Sequence, residues 1–467
     1  MTLTDAELDA FTRIADPLAD DTAAAIIGPW AADDALLGWA ERVARVGAAN
    51  RLIAQWTSNG ALESWPGPDV QGDPDMLAAM QRYVAEARVL PAWVDAAKVA
   101  HAETLFMDYG PLSCTLLFCA SLPECYYLPD LAEVLHITGQ LENNTDYRVR
   151  LTAAMVFPVM MKGGLTTPEG GGIAQVLKVR LIHAMVRNLI LRGNPSSSSG
   201  LVAALPTAVA TPGNTEARGI FDALLRHGWD VEQQGQPCSQ LQLAYTLLTF
   251  NYVFLNGMRT LRVPLSATDE EAVLHAWNVS AHSLGVQREL MVENMDDARA
   301  LFERMQARYA ALRTGAEDAR PALGGALMDT LAATIKLPVV RYFPIPMARL
   351  LCGAKTARAV GIKARSTIIA DVFFWITLGL AWVIDAVVRV FRPQFSITRM
   401  ITRVVGYHLM SEFLMSQTRP LRLPGTLNAQ MLETIQAWSD DPRAASWINR
   451  IEDKLTTRGV WGGGTQS

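Results

Sequence analysis

An all-α protein is what this sequence predicts, and three observations predict it. Apolar residues recur at three- and four-residue spacing through most of the chain. Several of these runs open on Ser, Thr or Asp followed by acidic residues, the pattern that caps a helix N-terminus. No stretch alternates apolar and polar residues over a strand's length, and no hairpin turn joins two such stretches. The chain has 467 residues, half of them hydrophobic and 8% aromatic, enough to bury a large core. Its net charge of −5 and pI near 5.9 argue against a nucleic-acid binder, which would need a basic stripe, and against a purely electrostatic membrane binder. Five cysteines, Cys114, Cys119, Cys125, Cys238 and Cys352, form no CxxC pair, so neither a zinc site nor a disulfide framework is expected. A reduced, cytosolic setting is the simplest match. The N-terminus is acidic and has neither an apolar signal core nor a twin arginine, so no export signal is expected.

Residues 1–89 read as short amphipathic helices. Thr4 before Asp5–Leu8 fits an N-cap with acidic residues in the first turn. Trp65-Pro66-Gly67-Pro68 and Gly72-Asp73-Pro74 read as turns, and Pro91-Ala92-Trp93-Val94 as the start of another helix. Residues 110–139 are apolar but interrupted by Pro123 and Pro129, which predicts a pair of buried helical segments. A helix carrying Arg148 and Thr152 follows, with Pro158 expected to kink or divide it and Gly163-Gly164 to end it. After a Gly-rich turn comes a second apolar helix with Arg180, His183 and Arg187. Residues 193–219 are rich in Ser, Pro, Gly and Ala and read as a mobile surface loop. The run Ser239–Leu261 reads as helical, and Ser266 and Thr268 before Asp269-Glu270-Glu271 mark another helix start.

The last third holds a 23-residue apolar run, 366–388, broken by Asp371 and Asp385. Only 13 residues, about 20 Å of helix, separate the two carboxylates. A bilayer core is about 30 Å thick, so a full span would draw both into it. Lys363, Arg365, Arg389 and Arg392 flank the run. A shallow membrane contact and a buried helix or oligomer contact both stay open, and the oligomeric state does not follow from the sequence.

The candidate chemistry lies between Gly139 and Arg192. Arg148 and Thr152 are four apart and share a helix face. Arg180 and Arg187 stand at i−3 and i+4 from His183, so one imidazole and two guanidiniums share the side of an apolar helix. That set suits an axial ligand to a haem iron with cationic partners for the propionates. The bland alternative is a core histidine with its own partners. His275 and His282 are seven apart near Trp277, but no carboxylate completes a metal set there. Gly170-Gly171-Gly172 precedes a helix without a preceding strand, so a phosphate cradle is not supported. No HExxH, GxSxG or Walker loop occurs.

At these residues the chain resembles a known family. Leu122-Pro123, Tyr126-Tyr127, Pro129, Val134-Leu135, Thr138-Gly139, Arg148-x-x-x-Thr152 and Val179-Arg180-Leu181-Ile182-His183-Ala184 carry the likeness. Trp229-Asp230, Gly235-x-Pro237, Thr246, Phe250, Trp277 and Leu284-Gly285-Val286 continue it. Together they resemble the haem-dependent oxygenases that include latex clearing proteins (rubber oxygenases) and the membrane-bound oxygenase of mycophenolic acid biosynthesis. The likeness covers roughly residues 90–360. It implies a globin-like helical core around haem b, with His183 as the iron ligand and Arg148 and Thr152 in the pocket. The lysine that can be a sixth ligand in latex clearing proteins falls at Leu151, so the distal side is expected to be open or water-bound. Glu133 lies nearest to the family's catalytic carboxylate. Family members acting on extracellular rubber carry export signals, and none is expected here.

The sequence reading is therefore a single large globin-like helical domain around a haem pocket: an N-terminal segment (1–89), an oxygenase domain (90–360) and a C-terminal helical region (361–467). The expected activity is oxidation of a hydrophobic, unsaturated or isoprenoid-like small molecule or lipid by dioxygen, in the cytoplasm or at the inner membrane. The alternative is a non-catalytic haem or lipid binding protein on the same fold.

Overall fold

The computed structural model describes residues 3–28, 39–137, 145–192, 229–263, 265–311, 318–335, 341–362 and 368–391, with Ile397 and Arg450. The expected mobile loop at 193–219 lies outside the described residues. Among the described residues there are helices and no strands. In chain order they are α1 (Asp5–Phe11), α2 (Pro17–Ile27), α3 (Trp39–Ile53), α4 (Asn59–Glu63), α5 (Pro74–Ala87), α6 (Ala96–Asp108) and α7 (Gly110–Leu116). After a π-helical turn, Leu117–Ser121, come α8 (Leu122–Cys125), α9 (Pro129–Ile137), α10 (Thr145–Met160), α11 (Gly172–Arg192) and α12 (Val231–Gln234). The rest are α13 (Gln240–Phe250), α14 (Tyr252–Thr260), α15 (Ala267–Ser283), α16 (Met295–Ala311), α17 (Arg320–Thr334), α18 (Pro344–Ala359) and α19 (Ile368–Arg389).

Local rules place many of these ends. Thr4 caps α1 in a reciprocal box with Glu7, and Ser266 caps α15 in the same way with Asp269. Other ends differ from the sequence reading. Pro91–Val94 is a turn, and α6 starts later, at Ala96, because Asp95 accepts from the backbone N–H groups of Ala97 and Lys98. Pro158 does not divide α10: it sits in the last turn, and the helix ends two residues beyond it. The apolar 110–139 stretch is not a simple pair, since a π-helical turn joins α7 to α8 with Pro123 inside α8's first turn. The Ser239–Leu261 run is two helices, parted at Asn251, whose side chain accepts from Tyr252 N.

One large apolar core runs from Leu8 to Leu378 and draws on nearly every helix. Helix α11 lies at its centre, packed along α2 on one side and α10 on another, with α15 behind. The Gly-rich turn between α10 and α11 is backbone packed on backbone: a Cβ at Gly170 would sit 2.1 Å from Gly163 O, and one at Gly164 equally close to Pro158 O. Glu103, buried on α6, accepts from Gly163 N at 2.8 Å. That N–H is therefore used inside the fold. All five cysteines are free thiols.

Candidate functional site

Helix α11 is buried along most of its length. Among its partly exposed residues, which include Arg180, Asn188 and Leu191, Val179, Ile182, His183 and Val186 form a stripe at the i, i+3, i+4, i+7 positions of one face. Ile182 is 37% exposed and its three neighbours are half-buried. The adjacent helix α10 is likewise half-buried at Thr152 and Met155, while Ala153, Ala154 and Val156 are buried. Arg148 and Leu151 stand one turn earlier on that helix, their backbone inside α10 and their side chains outside the described residues.

The structure corrects the expectation for the two arginines. Arg180 and Arg187 were read as propionate partners of a haem, yet protein acceptors take up both. Arg180 donates from Nε and Nη2 to both oxygens of Asp16, at 2.6 and 2.8 Å, and from Nη1 to Ser283 O at 3.2 Å. Its guanidinium also lies over the Tyr83 ring, 5.8 Å from the centroid. Arg187, wholly buried, donates to Pro237 O at 2.8 Å, to Cys238 O at 2.7 Å and to Asp20. The cations fasten the N-terminal segment and the 235–238 turn to α11. A buried guanidinium needs such partners, and the fork geometry of arginine suits a bidentate carboxylate. Gly285 makes room for the first lock. It sits at φ +88°, and a Cβ there would fall 2.6 Å from Asp16 Oδ2 and 2.7 Å from Arg180 Nε.

Glu133 lies on α9 and is half-buried, held by Gln234 Nε2 at 2.6 Å. Its neighbour Val134 packs in a small cluster with Leu189 and Ile190 of α11, with Val186 of the open stripe against the same cluster. Glu133 therefore sits on a helix that borders the His183 stripe. The turn that orients it also anchors Arg187. One turn earlier, Asp130 is buried, and burial together with the nearby Glu133 pushes its carboxyl up to about 7. Asp130 was missed in the sequence; its signal was a second carboxylate at i−3 from Glu133. Asp16 and Asp20 were missed too, because nothing local links an N-terminal acidic cluster to a helix more than 160 residues away.

His275 and His282 flank Trp93, with ring centroids 5.7 and 6.1 Å away, and His275 Nε2 accepts from Asp95 N. Both rings thus pack against Trp93. Among the described residues no three His, Cys, Asp or Glu side chains converge as a metal cage. The apolar stripe around the His183 imidazole, Val179, Ile182 and Val186, suits the face of a flat hydrophobic ring. The residues described fit such a group on that face. Arg180 and Arg187 are both held by protein acceptors instead.

The fold itself is shared with a solved latex clearing protein in its closed state. The TM-score is 0.56 at 19% identity, over 92% of this chain and 90% of that one. A rubber oxygenase of Streptomyces sp. (strain K30) is 26% identical over 259 residues, 55% of this chain; the match spans about half of that protein's length, 52%. Residues 130–380, more than half of the chain and inclusive of α9, α10 and α11, match the family described as ER-bound oxygenase mpaB/B'/rubber oxygenase, catalytic domain, and the chain belongs to that family.

Proposed function

We propose that this protein is a haem b oxygenase that uses dioxygen on a hydrophobic, unsaturated or isoprenoid-like substrate. The observation that carries the reading is the half-open apolar stripe around His183 on a mostly buried helix. Membership of an oxygenase family and the likeness to a protein named rubber oxygenase support it. Bound there, a haem would supply dioxygen activation, chemistry that no side chain provides.

The chain's own residues do the rest. His183 offers one ring nitrogen to iron. Val179, Ile182 and Val186 line the face beside it with apolar groups that exclude water. Arg148 is the cation assigned to a propionate, and Thr152 a hydroxyl on the same face of α10. Leu151, in place of a lysine, brings no ligand from that position. Asp130 and Glu133 stand one turn apart on α9: burial, with the nearby Glu133, raises Asp130 to about 7, where it can exchange a proton near neutral pH, and Gln234 donates to Glu133. That pair is the proton-handling group in this reading.

The test is the absorption spectrum and haem content of the purified protein beside His183→Ala. One haem per chain with a Soret band that collapses in the variant is the expected result. Oxygen uptake with a panel of unsaturated lipids and polyisoprene then separates an oxygenase from a haem carrier. A wild type that stays colourless after haem reconstitution overturns the assignment.

A further inference from the structure

Helix α19 is the one helix among the described residues long and apolar enough to cross a membrane, over Ala370–Val388. Its two faces have separate fates. Phe374, Leu378, Ala381 and Asp385 are buried on the side turned to the protein, and Phe343 packs against both Phe373 and Phe374. The opposite face carries Val372, Trp375, Ile376, Leu380, Val383 and Val387, each between 46% and 62% exposed. Both acids in the run leave that face clear. Asp371 pairs with Arg349 of α18 at 2.8 Å, and Asp385 is buried and accepts from Ile397 N.

The surrounding charge is opposite to that of the whole chain. Between Lys336 and Arg403 the sequence holds eleven Lys and Arg against those two aspartates, while the protein as a whole is at −5. Arg341, Lys355 and Arg358 are exposed, and Arg341 lies beside the exposed ring of Tyr342, at a corner that Phe343 joins to the start of α19. An apolar helix face with an aromatic, bordered by cations, is the pattern of a helix lying in the headgroup layer of an anionic bilayer.

We infer that α19 docks this protein on an anionic phospholipid surface, its outer face in the headgroup boundary and its inner face kept in the core. The helix lies flat because its inner half is already committed: a span would have to strip Phe374, Leu378 and the Asp371–Arg349 pair from the protein. A second copy of the chain is the poorer occupant. A two-fold contact would bring this cationic region against itself. The inference stands independently of the oxygenase reading.

Vesicle flotation of the full-length protein tests it, with phosphatidylcholine alone or mixed with phosphatidylglycerol, at low and high salt. The expected result is flotation with the anionic vesicles, weakened by about tenfold or more in high salt and lost in the double variant Leu380→Glu, Val383→Glu. Circular dichroism checks that variant's fold. A milder probe is Trp375→Phe: brominated lipid should quench the wild type's fluorescence, and the variant should lose that part of the quenching. Absent flotation overturns the inference, and so does equal flotation with neutral vesicles. A dimer that the double variant dissolves, without vesicle binding, would assign the face to a second copy.

Discussion

Helices α11 and α19 have nearly the same length, 21 and 22 residues, and both are apolar, yet they treat charge in opposite ways. Along α11 the cations are inside. Arg180 and Arg187 are each ringed by carboxylate and carbonyl oxygens, and the face left partly uncovered is a histidine among valines and isoleucine. Along α19 Asp385 is inside and Asp371 is paired with Arg349, and the face left uncovered is apolar throughout. A charged residue in an apolar helix is therefore a poor guide to where function lies. In both helices these paired charges serve the fold, and apolar side chains make up most of the face left uncovered.

The sharpest way to break this comparison is Arg187→Ala. If the guanidinium is a structural lock, its loss leaves Asp20 and two buried carbonyls without their donor. Unfolding free energy should fall by about 3–5 kcal/mol, the scale for breaking a buried ion pair. Denaturant titration of the haem-free protein measures it. His183→Ala in the same assay should cost much less, while abolishing haem uptake. Should Arg187→Ala leave the apoprotein's stability intact and lower only haem content, Arg187 would be a cofactor residue after all.

A second test, expected at a few kcal/mol, concerns Glu124, a buried carboxylate away from both helices. Thr356, Gln306 and Tyr245 all donate to its Oε2, at 3.1, 3.0 and 3.4 Å. Burial nevertheless wins over these donors and the nearby Lys355, and pushes the carboxyl from 4.5 up to about 8. A raised carboxyl favours the folded state fully below pH 4.5, and this contribution is lost as pH rises through 8. Stability should therefore fall by roughly a few kcal/mol between about pH 5 and pH 9. Asp130 adds a slope of the same sign through its own value near 7. Glu124→Gln keeps one acceptor oxygen and removes the titration, so its profile should be flatter. A variant with the wild-type slope would remove Glu124 as the cause.

Much of this was legible in the sequence, and the limits follow from range. The all-α fold and the capping boxes at Thr4 and Ser266 rest on residues within one turn of each other, and both could be read. The spacing of Arg180, His183 and Arg187 was equally plain, but their partners were not. Asp16 and Asp20 stand 164 and 167 residues away from the arginines they bind, beyond any local pattern. Pro158 misled because a proline near a helix end has little ladder left to disrupt. The cationic stretch 336–403 was in plain view, yet averaging over the whole chain concealed it under a net charge of −5. The π-helical turn at Leu117–Ser121 had no local signal that separates it from an ordinary apolar helix.

The smallest expected effects calibrate the comparison. Asp371→Asn breaks a pair with both partners a fifth to a quarter exposed, so about 1 kcal/mol is expected, in line with solvent-screened pairs. Ser266→Ala removes the side-chain acceptor for Asp269 N at the start of α15, and the loss should again be about 1 kcal/mol. The two differ in what else moves. Ser266 caps α15 and takes no part in the Asp371–Arg349 pair, so its variant should bind anionic vesicles as the wild type does. Asp371 anchors the first turn of α19 to α18, so its variant should change vesicle binding along with stability, by loosening the helix from the core. If both variants lost the same stability and neither altered vesicle binding, the Asp371–Arg349 pair would be an ordinary surface contact. The orientation of α19 would then rest on its buried face, Phe374, Leu378, Ala381 and Asp385, and on the Arg262 guanidinium over Trp382.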